Sequence, residues 1–362
     1  MGKILFIGNN PNKVTSGVDY INKRNIDALK AIFNSDLIIQ KICCSNKPLT
    51  FINLVFKYMS GLSLLEEEKI LKIIEKHNIQ LIFIGESRLG RLAKTIKKYY
   101  PNIIIITFFH NIEIQYIEEE LKSNPSLKNH IMKRAISFNE RYSIKYGDKF
   151  IVLNNRDKTL LKDLYKKDAS LILPTSFKDY YNKHHTITNH KIFTMLFVGT
   201  SFFGNLTGLK WFIKEVLPEI KNVKLLIVGK GMDKEFKRTE KIEVYGFVEN
   251  LETYYYNCDL VVLPILTGGG MKTKTAEAMM YGCSIVGTSE AFEGYDIEYD
   301  KIGGIANTKA EMINLITKLR DNKLLNRNAK NYSRKIFLEK YHFKNTINKL
   351  SIFFYQINHD KL

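Results

Sequence analysis

Short runs of consecutive apolar residues, each closed by a polar or glycine position, recur along the chain between longer amphipathic stretches. In the first half they are KILFIGN (Lys3–Asn9), DLIIQKICC (Asp36–Cys44), IQLIFIGE (Ile79–Glu86), NIIIITFFH (Asn102–His110) and KFIVLNN (Lys149–Asn155). Each is rich in β-branched side chains and apolar at successive positions, the pattern of a strand buried on both faces. Between them, stretches such as 63–77 and 89–99 place apolar residues at helical spacing. Strands alternating with helices predict βαβ units and a parallel sheet.

The pattern restarts after the irregular polar stretch PTSFKDYYNKHHTITNH (Pro174–His190). FTMLFVGT (Phe193–Thr200), VKLLIVGK (Val223–Lys230), KIEVYGFV (Lys241–Val248), CDLVVLPI (Cys258–Ile265) and CSIVGTS (Cys283–Ser289) follow, with a helical tail from about Ala310 onward. The fold class is α/β: two Rossmann-like domains, residues 1–180 and 181–340, facing a central cleft, with a last helix, 341–362, expected to return to the first domain. In open α/β sheets ligands sit outside the carboxyl ends of the strands, so chemistry is expected there. LTFINLVFKYMSGLSLL (Leu49–Leu65), apolar with Lys57 embedded, reads as a buried helix ahead of a surface lying on a membrane or an acceptor lipid.

Charge changes the picture. The 362 residues carry 55 Lys+Arg against 37 Asp+Glu, a net +18. That excess points to an anionic partner, although the abundance of Ile, Asn and Lys fits a compositional bias equally well. KTIKKYY (Lys94–Tyr100) and KKD (Lys166–Asp168) would suit peripheral contact with an anionic membrane. The lysines are otherwise scattered, and no RNP-, KH- or helix-turn-helix-like pattern supports a nucleic-acid partner. Cys43, Cys44, Cys258 and Cys283 form no C-x-x-C, which argues against a disulfide framework or a zinc site. The start MGKILFIGNN lacks a signal-peptide pattern, and no apolar run approaches the ~20 residues that span a bilayer. The expected location is cytoplasmic, or peripheral at the inner face of the membrane.

The densest candidate chemistry lies in GGGMKTKTAEAMMYG (Gly268–Gly282). A strand ends near Pro264, a glycine loop follows, and a helix is expected to start near Thr273. Glycines let backbone amides approach an anion, and a helix N-terminus adds partial positive charge. Lys272 and Lys274 supply full charges suited to a diphosphate. Glu277, three residues after Lys274 and so on the same helix face, could accept hydrogen bonds from ribose hydroxyls. Gly282 has the position of a helix-ending C′ glycine. A plain glycine turn with solvated lysines is the competing reading. In the first half, Gly17 lies within NNPNKVTSGVDYIN (Asn9–Asn22), which follows the first strand and on its residues alone reads equally well as an ordinary βα loop. His110 ends a strand in TFFHNIEIQY (Thr107–Tyr116), followed by Asn111 and Glu113, where a histidine could bond a sugar hydroxyl or assist proton transfer. His184, His185 and His190 read as linker residues.

These residues resemble the donor-site signature of GT-B glycosyltransferases, in particular the retaining glycosyltransferase family 4. The resemblance extends through FVGTSFFGNLTGLKWFIKEVLPEI (Phe197–Ile220), LLIVGKG (Leu225–Gly231), VYGFVENLETYYYNCDLVVLPI (Val244–Ile265) and GTSEAFEGY (Gly287–Tyr295). It implies a GT-B fold and transfer of a sugar from a nucleotide-diphosphate sugar to a saccharide or lipid-linked acceptor in surface-polysaccharide synthesis, with retention. It implies donor contacts at Gly17, Gly199, Thr200, Gly229, Phe247, Gly268, Gly269, Gly270, Met271, Thr273 and Glu277, with His110, Lys272 and Lys274 as catalytic positions. Glu140 and Arg141, in FNERYSIKYGDKFIVLNNRDKTLLKDLY (Phe138–Tyr165), fit structural roles. Many relatives carry two glutamates eight residues apart, and Gly269 stands at the first of these positions, so the sequence does not name the sugar.

No Asp-x-Asp element is present, so no metal is expected, and no cofactor beyond the nucleotide-sugar co-substrate. Neither a G-x-x-x-x-G-K-[ST] loop nor a dinucleotide fingerprint occurs. The alternative functions are a GT-B nucleotide-sugar 2-epimerase and, more remotely, a basic nucleic-acid-binding protein.

Overall fold

The computed structural model describes residues 2–9, 14, 16–42, 52–123, 125–185 and 192–359. The chain separates into two compact units. One comprises residues 1–14, 18–174 and 346–362; the other comprises 15–17 and 175–345.

The first unit is built on a six-stranded, wholly parallel sheet of β1 (Ile4–Gly8), β2 (Leu37–Lys41), β3 (Leu81–Ile84), β4 (Ile104–Phe108), β5 (Lys149–Val152) and β6 (Leu171–Ile172), in the order β2-β1-β3-β4-β5-β6. β1 is buried at every position, whereas β2, at the edge, is half-buried throughout. At the sheet's centre, Phe6 pairs with Phe83 across the β1–β3 ladder, their ring centroids 5.8 Å apart. Phe83 in turn stacks at 6.3 Å on Phe108 of β4. Such pairs contribute about 0.5–1.5 kcal/mol each beyond their buried area, which fixes the register of the three central strands.

Helices cover this sheet. The Leu64–His77 helix starts as the 63–77 pattern predicts, with Ser63 Oγ accepting from the Glu66 amide at 3.3 Å. The Phe343–His359 helix belongs to this unit through most of its length. It buries Leu350, Phe353, Phe354 and Ile357, and Phe354 meets Phe33 edge-on at 4.8 Å. The Leu49–Leu65 stretch departs from the buried helix expected of it. Residues 49–51 lie outside the described residues, and only 52–55 make a helical turn. Leu54, Tyr58, Met59 and Leu62 point inward, while Ile52, Val55, Phe56, Leu64 and Leu65 are each more than half exposed. The unbroken apolar run hid an amphipathic arrangement.

The second unit repeats the architecture with β7 (Phe193–Val198), β8 (Val223–Val228), β9 (Ile242–Tyr245), β10 (Leu260–Leu263), β11 (Ile285–Gly287) and β12 (Gly303–Ile305), all parallel, in the order β12-β11-β10-β7-β8-β9. β12 has no counterpart in the sequence pattern. Its Gly303 sits at φ +140°, and a Cβ there would run into the Ile285 carbonyl, so glycine is what allows this strand to pair with β11. The helical tail consists of the helices Lys309–Asp321, Lys323–Ile336 and Phe343–His359, with a π-turn at Phe337–Tyr341 before the last. Among the described residues no helix is long and apolar enough to cross a membrane.

Candidate active site

The second unit's candidate residues assemble at the start of the Thr273–Met280 helix. Gly270, at φ +58°, turns the chain out of the loop that follows β10, and Met271 is buried beneath it. The helix stops as its sequence predicts. Gly282, at φ +68°, donates its amide to the Met279 carbonyl, and the Cys283 amide bonds to the Ala278 carbonyl, both at 3.0 Å. This Schellman pairing satisfies two carbonyls that would otherwise be orphaned. At the other end, Tyr295 Oη donates to the Lys272 carbonyl at 2.7 Å and accepts from the Ala276 amide at 3.1 Å. Thr275 Oγ1 bonds to the Ala291 carbonyl at 2.7 Å. The helix start is thus clamped by the 288–295 segment.

Lys272 and Lys274 leave this start in different directions. Lys272 Nζ donates to Glu290 Oε1 at 2.5 Å and to the Gly269 and Gly270 carbonyls at 3.2 and 3.1 Å. With side chains only 12% and 19% exposed, Lys272 and Glu290 form a shielded ion pair. Lys274 Nζ donates to Asn205 Oδ1 at 2.5 Å and lies 4.6 Å from the centre of the Phe197 ring, at the end of β7. Asn205 also donates to the Thr200 carbonyl at 2.9 Å, so it ties Lys274 to the 199–200 turn. Burial, assisted by the neighbouring Lys272 charge, lowers the Lys274 ammonium to about 7.

Glu277 lies one turn further on and accepts from Tyr255 Oη at 2.9 Å. Burial raises its carboxyl to about 7, against the opposing pull of Tyr255 and Lys274. Tyr255 is itself buried and stacks on Tyr281 at 4.8 Å, which fixes its hydroxyl. Two groups of opposite sign therefore both sit near neutrality, able to gain or lose charge when a ligand arrives.

The remaining candidates distribute around this centre. A Cβ on Gly199 would lie 3.0 Å from Lys274 Nζ, and one on Gly229, at φ +151°, would collide with the Gly199 carbonyl. Gly199, Thr200 and Gly229 thus form a tight backbone layer beside Lys274. Phe247 is 43% exposed, two residues beyond the end of β9. Asn205, Tyr255, Glu290 and Tyr295 went unnoticed in the sequence. Tyr255 and Asn205 lie inside motif segments without any charge or glycine to mark them. The GTSEAFEGY motif contained Glu290 and Tyr295 but gave no sign of which residue faced the lysines.

In the first unit, His110 is buried immediately after β4, with its ring 5.0 Å from Phe108. Its Nε2 lies 3.0 Å from the Gly85 carbonyl and 3.1 Å from Asn22 Oδ1. A carbonyl only accepts, so Nε2 carries the proton, leaving Nδ1 as the acceptor. Burial lowers the imidazole to about 4, so it is neutral at physiological pH. Glu113 is buried, and its amide donates to Glu140 Oε1 at 2.8 Å. Glu140 also takes the Ile114 amide and the Tyr165 hydroxyl, capping the Glu113–Ser123 helix. Gly17, grouped with the second unit, is exposed at the first position of the Gly17–Phe33 helix. Among the described residues no group of three or more His, Cys, Asp or Glu side chains comes together to hold a metal ion.

Residues 192–321 match the family described as Glycosyl transferases group 1. An uncharacterized 44.6 kDa protein in the cps region of Klebsiella pneumoniae is 31% identical over 221 residues, 55% of each chain. The chain thus spans about half the length of this curated relative. Among solved structures, the sucrose-phosphate synthase of Thermosynechococcus elongatus superposes with a TM-score of 0.77 at 13% identity, covering 99% of this chain and all of that one. Anabaena Alr3699/HepE in complex with UDP-glucose gives 0.71 at 13% identity, covering 98% and 99%. These likenesses extend over both parallel sheets. The 192–321 segment, which holds both lysines, Glu277, Asn205 and Glu290, thus resembles the group 1 glycosyl transferases in sequence, and the chain that carries it has the GT-B fold.

Proposed function

We propose that the protein transfers a sugar from a nucleoside-diphosphate sugar to a saccharide or lipid-linked acceptor in the assembly of a surface polysaccharide, at the cytoplasmic face of the membrane and with retention at the anomeric carbon. The observation that carries this reading is the convergence of Lys272, Lys274 and Glu277 at one helix start. As the glycosidic bond breaks, negative charge grows on the leaving diphosphate. Lys274 and the helix N-terminus, fixed in advance, would stabilise that charge, the kind of preorganised electrostatics that often supplies the largest catalytic contribution, and Lys272 would add its charge on release from Glu290. Glu277, one turn away, would accept the ribose hydroxyls.

Lys272 meets the diphosphate only by loosening its pairing with Glu290. Glu290 would then stand beside the diphosphate end of the donor, in a loop where Gly269 provides no side chain. His110, neutral and with its Nε2 proton already donated, would act through Nδ1 as a hydrogen-bond acceptor in the first unit. UDP-glucose in the Anabaena structure and the cps-region relative favour a UDP-sugar donor and a polysaccharide product.

A thermal-shift screen of UDP, GDP, ADP and their sugars tests the reading. Stabilisation by one base class, lost in Lys274→Met, is the expected result. A flat screen, or Lys274→Met and Glu277→Gln variants with unimpaired sugar transfer, would remove the donor-site assignment.

A further inference from the structure

The second unit's sheet carries a pocket of its own, on one of its faces. β8 and β9 alternate buried and half-buried positions along their first four residues, so one face is packed and the other only partly covered. That open face carries Lys224 and Leu226 of β8 beside Glu243 and Tyr245 of β9, with Thr194 of β7 next to Lys224. The Glu252–Tyr256 helix borders it. Five residues make about 7.5 Å of helix, against about 20 Å for the six-residue β8, so the sheet outruns its cover. Thr253, Tyr254 and Asn257 close one side and leave a pocket of about 230 Å³. Neither Lys272, Lys274 nor Glu277 lines it. Lys224 stands about 16 Å of strand before Gly229, which belongs to the backbone layer beside Lys274.

The lining favours one chemical class. Its charged side chains, Lys224 and Glu243, pair with each other, so the pocket offers no net charge to a phosphate or a polyanion. Tyr245 Oη donates to the same carboxylate at 2.6 Å. Lys224 first, and then Tyr245, hold the Glu243 carboxyl below its usual range, so it stays an acceptor with an ammonium donor beside it. The Tyr245 and Tyr254 rings meet at 63°, their centres 5.2 Å apart, and the Arg238 guanidinium lies 5.3 Å from the centre of the Tyr245 ring. Arg238 is itself fixed by bonds of 3.2 and 3.1 Å to the Val244 carbonyl. The aromatic corner is therefore set before a ligand arrives, which lowers the ordering cost of binding. An acyl chain would leave the ion pair facing carbon. A saccharide ring answers both halves of the lining. Its C–H face packs on an aromatic ring, while its hydroxyls donate to Glu243 and accept from Lys224. At about 230 Å³, below the ~300–1,000 Å³ of sites for drug-sized ligands, the pocket admits one such ring and not a nucleotide.

We infer that this face of the second unit binds one uncharged pyranose ring of a saccharide, seated against Tyr245 and Tyr254 and bonded through its hydroxyls to Glu243 and Lys224. The site holds a glycan and makes or breaks no bond. It shares no residue with the donor assignment and stands whether or not that assignment does.

Saturation-transfer NMR of the full chain with maltotriose, cellotriose, mannotriose and triacetylchitotriose tests it, with uridine as a control. At least one trisaccharide should receive saturation on a single ring, with a dissociation constant on the order of 1 mM, as the ligand efficiency of one small ring allows. The signal should persist with UDP in excess. Tyr254→Ser should weaken binding about tenfold through the lost ring contact. Lys224→Met with Glu243→Gln, which removes the ion pair without leaving either charge unmatched, should weaken it as much. All three positions are half-buried, and unchanged thermal midpoints would show that the variants fold. Absence of transfer to every trisaccharide overturns the inference, as does a signal undiminished in both variants. Displacement by UDP, or stronger transfer to uridine than to any saccharide, would also overturn it. A flat nucleotide screen beside a positive saccharide signal would remove the donor reading and leave this one.

Discussion

If Lys274 and Glu277 hold a nucleoside diphosphate, affinity for it must be a bell-shaped function of pH centred near neutrality. Lys274 titrates at about 7 in the free protein because burial and Lys272 oppose its charge. A diphosphate favours the ammonium, so binding draws a proton onto Lys274 whenever the pH exceeds 7. At pH 7 about half of the molecules carry the charge, and at pH 9 about one in a hundred, so affinity should fall roughly 50-fold between them, or about 2.3 kcal/mol. Glu277 also titrates at about 7, but its ionised form is the one able to accept ribose hydroxyls. It therefore weakens binding below pH 7 and leaves the alkaline limb almost untouched. The second phosphate ionisation, near 6, is complete in that range and does not confuse it. The two groups interact, so the limbs report on the pair, and variants separate them. Lys274→Met should flatten the alkaline limb, and Glu277→Gln the acid limb down to the nucleotide's own titration. Isothermal calorimetry of UDP in buffers of different ionisation enthalpy measures both affinity and proton uptake, which should approach one proton near pH 8. Affinity that is flat from pH 7 to 9, or an alkaline limb that survives in Lys274→Met, would refute the reasoning.

Glu290→Gln should raise affinity for free UDP several-fold, because Lys272 no longer has to exchange a carboxylate for the ligand; an unchanged calorimetric constant would show that the pair does not open on binding. Gly208→Ala should destabilise the fold by about 1–3 kcal/mol, since a Cβ there would collide with the Pro264 carbonyl just before the glycine loop, and urea denaturation reads this directly. The folded His110 titrates at about 4, below its unfolded value near 6.5, so the unfolded chain binds the extra proton and stability is lost as pH falls between those values, by up to about 1.4 kcal/mol per pH unit. His110→Asn should remove that part of the acid sensitivity, and melting curves at pH 5 and 7 on both proteins would show it.

How much of this was legible in the sequence follows from what each feature depends on. The runs of isoleucine and valine marked five of the six strands in each sheet, because a strand buried on both faces must be apolar at every position. β6 has only two residues, and β12 is built on glycines, so neither has an apolar run to read. Lys272, Lys274 and Glu277 were readable because helix geometry alone relates them. Asn205, Tyr255 and Glu290 join them only through tertiary packing, from 69, 22 and 18 residues away along the chain. For the same reason Gly269 read as a missing acid, and only the structure places the Glu290 carboxylate beside that loop. The Leu49–Leu65 stretch failed differently: its apolar content was plain, but composition does not tell which side chains a turn will leave in water.

The return of the Phe343–His359 helix to the first unit bears on the order in which the protein is made. The second unit is almost wholly a continuous segment, 175–345, and can close once that segment has left the ribosome. The first unit, although its sheet is translated earliest, waits through the synthesis of the entire second unit for the helix that covers Phe33 with Phe354. During that interval the apolar surface meant for Leu350, Phe353, Phe354 and Ile357 stays open. The half translated first is thus the half completed last, and its nascent form is where chaperone protection matters most.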